Sequence, residues 1–301
     1  MLVEALRVMF REGCEAPLRH HHEIAAGGAP SGTMLLMPAW IPGRYLGVKL
    51  ANVFPGNGAR ALPAVQALYI LCSGETGEVL ATLDGNELTA RRTVAASALA
   101  AACLARRDSE TLLLVGAGRL AKLMAQAHAA VRPLRHIMVW GRDAAKAAAL
   151  AGELRDAFAQ VSVADDIASA MARADIVSCM TLSREPLVHG AWLQPGTHLD
   201  LVGGFRPDMR ETDDEAVRRA SVFIDTPGAI HEAGDIAAPL ATGALALDDI
   251  RADLAALVRA AHPGRTDEKE ITLFKSVGAA QEDLAAAILC YERALARREA
   301  A

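Results

Sequence analysis

None of the five cysteines (Cys14, Cys72, Cys103, Cys179, Cys290) stands in CxxC spacing with another, which argues against a disulfide framework and against a zinc site. They read instead as small buried hydrophobes of a reducing compartment. The chain also lacks a basic stripe: its net charge is -5, with acidic and basic residues interspersed. Nucleic acid and anionic membrane are therefore poor partners, and a small molecule is the expected one. No apolar stretch reaches the roughly 20 residues that cross a bilayer; the longest nearly uncharged helical segment is 93–105. The opening MLVEALRVMFREG carries Glu4, Arg7, Arg11 and Glu12 where a secretory signal needs an unbroken apolar core, so a cytoplasmic chain is expected. Internal repeats and low-complexity tracts are absent beyond a general richness in alanine.

What is present is enough chain for two domains: 301 residues. From about residue 110, short apolar runs (112–115, 137–140, 161–163, 176–180, 198–202, 222–225, 271–274) alternate with alanine-rich amphipathic segments such as 119–131 and 144–158. Continuous rather than alternating apolar strands in βαβ order predict a largely parallel sheet covered on both faces, a doubly wound α/β domain. Residues 1–108 differ. Glycine and proline punctuate 26–63, a strand pair is predicted at 67–72 and 77–83, and a helix runs from an N-cap at Thr89 to about 106. A last helix over 278–298 returns to the first domain.

The first α/β strand runs into Gly116-Ala117-Gly118-Arg119-Leu120-Ala121. Gly116, Gly118 and Ala121 occupy the positions of a GxGxxG/A turn: the first glycine for the bend, the second for close approach of a pyrophosphate, the small third residue for helix packing. The following helix N-terminus offers N–H groups to phosphate. A tight connection with no ligand is the alternative. The next strand ends Trp140-Gly141-Arg142. An arginine there suits a ribose 2′-phosphate better than a 2′-hydroxyl, giving NADP(H) over NAD(H), unless Arg142 only opens a solvated helix.

Further segments, among them PLRHHH (17–22), LLMPAW (35–40), LGVKLANVFPGN (46–57), SGETGEVLATLDGNELTARRTVAASALAAACLARRDS (73–109), VGGFRPDMRETDDEA (202–216), EAGDIAAPLATG (232–243) and TLFKSVGAAQEDLAAA (272–287), together resemble the ornithine cyclodeaminase and mu-crystallin family over almost the whole chain. The resemblance implies a Rossmann-type doubly wound sheet (109–278) plus a smaller α+β substrate-binding and dimerisation domain (1–108, joined by 279–301). It also implies a homodimer, and an α-amino or α-imino acid held at the interdomain cleft. A strand and helix ahead of Met1 are expected from the same likeness.

On the same basis Arg92 and Arg19 are expected to hold a substrate carboxylate. Lys49 is expected to bind it or to serve the imine, and Met37 and Thr76 to line the pocket. Ala117, Arg119 and Leu120 pass the pyrophosphate, with Leu120 replacing a frequent glutamine. Met180 and Thr181 flank the adenosine or ribose, Val202 and Gly203 lie near the nicotinamide, and Lys275 and Ser276 close the cleft. Read without the family, each charged residue among these is equally an ordinary surface group.

Family cyclodeaminases carry an aspartate just after the glycines of VGG, where this chain has Phe205, which cannot exchange a proton; Asp208 stands three residues on. The RPDMRE form is similar to the family's ketimine and pyrroline-2-carboxylate reductases, and Phe205 then forms an apolar wall against a small ring. Three readings stand: an NAD(P)H-dependent reductase of a cyclic imino acid, an ornithine cyclodeaminase, and a mu-crystallin-like NADPH-linked binding protein. No metal is expected. His20, His21 and His22 alternate faces in extended chain, and the acidic run Glu211, Asp213, Asp214, Glu215 reads as a helix start.

Overall fold

The computed structural model describes residues 1–26 and 29–300, which form two compact units, one from the described residues of 1–93 with 279–300 and the other from 94–278. In the first unit, α1 (Leu2–Glu12) buries Leu6, Met9 and Phe10 along one stripe. A five-stranded antiparallel sheet follows in sequential order: β1 (His20–Ala26), β2 (Ala29–Ile41), β3 (Tyr45–Val53), β4 (Val65–Ser73) and β5 (Val79–Asp84). Helix α2 (Gly85–Leu104) begins here and continues into the second unit.

The helix start expected at Thr89 lies one turn too late. Asp84 Oδ1 accepts the N–H groups of Asn86 (2.8 Å) and Glu87 (3.1 Å), so the aspartate closes the first turn while Thr89 sits inside the helix. The strand pair at 67–72 and 77–83 is present as β4 and β5. The Gly/Pro-punctuated region, by contrast, is mostly strand. An added Cβ at Gly47 would fall 2.0 Å from Tyr69 Oη, and one at Gly32 would fall 2.4 Å from the Phe54 ring. These glycines let aromatic rings lie against a strand rather than marking turns.

The second unit is a parallel sheet of eight strands in the order β12-β11-β13-β10-β9-β6-β7-β8. Along the chain these elements are β6 (Thr111–Val115), α3 (Ala121–Ala129), β7 (His136–Trp140), α4 (Ala144–Leu154), β8 (Gln160–Val163), α5 (Ile167–Met171), β9 (Ile176–Cys179), β10 (His198–Leu201), α6 (Asp214–Arg219), β11 (Ser221–Ile224), α7 (Ala229–Glu232), α8 (Gly234–Thr242), β12 (Ile250–Asp253), α9 (Leu254–Val258) and β13 (Thr272–Lys275), and α10 (Ala280–Glu299) returns to the first unit. Leu112 and Leu114 face one core and Leu113 and Val115 the other, which explains why the strands read as unbroken apolar runs. Strand β12, Ile-Arg-Ala-Asp at the sheet edge, has too little apolar pattern to be read from sequence.

Strands β6, β7 and β8 step outward in one direction, and β9 returns to the other side of β6. The carboxyl ends of β6 and β9 therefore form the topological switch point at which doubly wound sheets bind ligands. Among the described residues no helix is long and apolar enough to cross a membrane.

Candidate functional site

In the first unit the sheet register builds a row of side chains. Met37 on β2 pairs with Lys49 on β3, which pairs with Tyr69 on β4. Arg19 directly precedes β1 and lies near enough for its charge to act on Lys49. Because partners directly across an antiparallel sheet share a face, the row presents a thioether, an ammonium and a phenol together. Met37, Lys49 and Tyr69 are buried.

Packed over this face is the first turn of α10, which supplies two carboxylates. Lys49 Nζ lies 2.7 Å from Asp283 Oδ2 and donates to Thr89 Oγ1 at 3.3 Å. Arg92, on α2, donates Nε to Asp283 Oδ1 (3.0 Å) and Nη1 to Glu282 Oε2 (2.7 Å). Lys49, Arg92, Glu282 and Asp283 are at most 5% exposed. Burial pushes the Lys49 pKa down to about 8; Asp283 opposes that shift, while Arg92 and Arg19 add to it. A lysine so poised keeps its proton at neutral pH and releases it readily, as a general acid requires.

The sequence-predicted residues Arg19, Met37, Lys49 and Arg92 are thus brought together. Thr76 is not. It lies exposed in the β4–β5 turn, its Oγ1 accepting the Glu78 N–H, while the nearest end of β4, Ser73, pairs with Tyr45 rather than Lys49. Sequence reasoning missed Thr89, Glu282 and Asp283. The last two lie within the segment 272–287, but nothing local tells an ion-pair partner from an ordinary acidic first turn.

In the second unit Gly116 has φ +113°, and a Cβ there would meet the Met180 carbonyl at 3.2 Å and Thr181 Cγ2 at 3.3 Å. Gly118 has open space where its Cβ would be. Leu120 stands at the N-cap of α3 and makes no side-chain cap bond; the Ala121 N–H turns back to the Gly118 carbonyl (3.1 Å), so the glycine turn runs directly into the helix. This is a cradle a dinucleotide pyrophosphate fits. Ala117 and Arg119 belong to the same turn. Gly141 lies against it, with its Cβ position 3.5 Å from Ala117 Cβ, and Arg142 follows, exposed. Asp143 is engaged elsewhere, capping α4 through the Lys146 N–H.

Met180, Thr181, Val202 and Gly203 occupy the carboxyl ends of β9 and β10. Lys275 ends β13 and Ser276 follows it, but Lys275 is wholly buried, its Nζ 3.0 Å from Asp235 Oδ2. Phe205 is 38% exposed. Asp208 faces Arg206 (3.0 Å) and Arg184 (3.4 Å) at the surface. The acidic run divides. Asp213 caps α6 through the Ala216 N–H, as expected, but Glu211 is no part of a helix start: it is fully buried and bonded to Thr181 and Gly203.

This geometry has close counterparts. A Delta(1)-pyrroline-2-carboxylate reductase of Paracoccus denitrificans is 39% identical over 92% of this chain and 90% of its own. The structure of Thermococcus litoralis Delta(1)-pyrroline-2-carboxylate reductase in complex with NADH and L-proline superposes with a TM-score of 0.92, at 35% identity, covering 98% of this chain and 93% of that one. An archaeal alanine dehydrogenase dimer with bound NAD superposes with a TM-score of 0.91, at 30% identity, covering 99% and 92%. The ornithine cyclodeaminase/mu-crystallin family model matches residues 5–298, and the chain belongs to that family.

Proposed function

We propose that the chain is an NAD(P)H-dependent reductase of a small cyclic imino acid, converting Δ1-pyrroline-2-carboxylate to L-proline. Reduction of the C=N bond takes a proton to nitrogen and a hydride to the neighbouring carbon. The nicotinamide cofactor, when bound, supplies the hydride. The chain's own residues do the rest. Arg92 and Arg19 hold the substrate carboxylate, with the ammonium of Lys49 beside it. Lys49 Nζ gives its proton to the imine nitrogen, Met37 keeps apolar surface against the ring, and Asp283 holds the ammonium in place.

The observation that carries this reading is the chemistry of the 203–208 loop. Phe205 has no proton to exchange, and Asp208 is turned to two arginines. Asp235, beneath Gly204, accepts from Glu211 N, Thr212 N and Lys275 Nζ. Among the described residues that loop thus delivers no base of the kind that oxidation of an amine requires. The nucleotide is held at Gly116, Ala117, Gly118, Arg119 and Leu120; Met180 and Thr181, expected beside the adenosine or ribose, belong instead with Val202 and Ser276 at the nicotinamide side, because β9 lies across β6 from β7, and Lys275 supports them from beneath. Arg142, with Asp143 committed to its cap, favours NADPH over NADH. The reading includes a homodimer through the first unit, acting in the cytoplasm.

The test is steady-state oxidation of NADPH and NADH with five- and six-membered cyclic imino acids, run beside ornithine with NAD+. Turnover of the five-membered imine with NADPH at the higher kcat/KM is expected. Ammonia release from ornithine with no imine reduction overturns the reading.

A further inference from the structure

The loops that leave β9 and β10 at the switch point are pressed together backbone to backbone. A Cβ at Gly203 would sit 1.8 Å from the Thr181 carbonyl oxygen and 2.4 Å from its nitrogen. Two peptide segments at that separation need something to hold them in register. Glu211 Oε1 accepts from Thr181 N (2.6 Å) and Thr181 Oγ1 (2.9 Å), and Oε2 accepts from Gly203 N (2.7 Å).

The carboxylate is itself anchored. Glu211 N donates to Asp235 Oδ1 at 2.7 Å, its carbonyl accepts from Leu187 N and Val188 N, and Asp235 Oδ2 meets Lys275 Nζ at the end of β13. Glu211, Asp235 and Lys275 are all 0% exposed. Burial raises the pKa of Glu211, and Lys275 counters that rise.

We propose that Glu211 is a positioning residue for the nicotinamide end of the nucleotide site, its one carboxylate locking the β9 and β10 loops into a single surface. The inference rests on the dinucleotide reading above. Thr181 Cγ2 already bounds the Gly116 turn, so the clamped surface begins where the pyrophosphate cradle stops. The adenosine end, at Gly141 and Arg142 beyond β7, lies on the opposite side of β6 and has no bond to Glu211. Loss of the clamp therefore loosens one half of the site and spares the other, which a general loss of packing does not do.

Glu211→Gln tests this. The amide keeps the volume, but whichever way it turns, an NH2 group faces the N–H of Thr181 or of Gly203, replacing an attraction with a repulsion. Fluorescence titration is expected to show NADPH binding weakened by about tenfold or more, with the affinity for 2′,5′-ADP, which carries only the adenosine end, within twofold of wild type; NADH and ADP are titrated alongside. Unchanged NADPH affinity, or equal weakening of NADPH and 2′,5′-ADP, overturns the proposal. If Glu211→Gln does not fold, Thr181→Val removes the hydroxyl arm of the clamp, together with the acceptor of the Ser183 N–H, and leaves both backbone arms. A severalfold weakening confined to NADPH is then expected, and none overturns it. Failure of the wild-type protein to bind either dinucleotide counts instead against the dinucleotide reading itself.

Discussion

Lys49→Met lowers kcat for cyclic imine reduction by roughly 10²–10⁴-fold, the usual worth of a positioned proton donor, while nucleotide affinity stays within about twofold. Methionine fills nearly the same unbranched space, so packing is little disturbed. The partner left behind is not stranded, because Asp283 still accepts from Arg92 Nε at 3.0 Å. The expected loss is therefore chemical, falling on kcat with a far smaller change in thermal midpoint. A kcat within tenfold of wild type removes Lys49 from the proton-transfer step and leaves it as a carboxylate-binding cation, which KM then reports.

The pH profile carries the second large effect. Burial depresses the Lys49 pKa to about 8, and the charge of Asp283 works in the opposite direction. The ammonium is the active form, so kcat/KM is expected to hold below that pKa and to fall as pH rises through about 8. Asp283→Asn keeps the shape and removes the charge. With its anionic neighbour gone, the ammonium is harder to maintain in the interior, and the descending limb moves down by roughly 1–3 pH units, the range expected for an opposite charge at this separation. At pH 8, where half of the wild-type ammonium has already lost its proton, that corresponds to a loss of about 5- to 500-fold. Arg92 retains Glu282 at 2.7 Å, so the guanidinium is not left as an unpaired buried charge. The profile is measured with saturating nucleotide. An unmoved limb, or one that moves to higher pH, contradicts the role assigned to Asp283.

The α/β half of the chain was legible because fully buried parallel strands write their burial directly as apolar runs, whatever their neighbours. Seven of its strands fall within a residue or two of those runs; the exception, β12, lies at an edge and carries Arg251 and Asp253 among its four residues. The first unit was harder. Glycine reads locally as a turn signal, but Gly32 and Gly47 serve tertiary contacts with Phe54 and Tyr69 that no local window contains. Asp84 rather than Thr89 caps α2 for a related reason. Both are acceptable cap residues, and the choice was made by where β5 ends.

The site shows the same division. Lys49 and Arg92 were found through motif, but their partners Asp283 and Glu282 lie about 190 positions beyond Arg92 in the chain. Glu211 was hidden by its neighbours. In a run of four acids, helix-dipole logic applies to Asp213, Asp214 and Glu215 and fails for the one side chain that turns inward.

The central claim, that a proton and a hydride reduce a C=N bond conjugated to a carboxylate, is tested most directly by following the label. NADPH deuterated at the transferable position of nicotinamide C4 is incubated with Δ1-pyrroline-2-carboxylate, and the product is analysed by NMR. L-Proline carrying one deuterium at Cα, formed in step with NADPH consumption, is the expected result. Proline without deuterium, or proline formed only from ornithine with release of ammonia, contradicts the account.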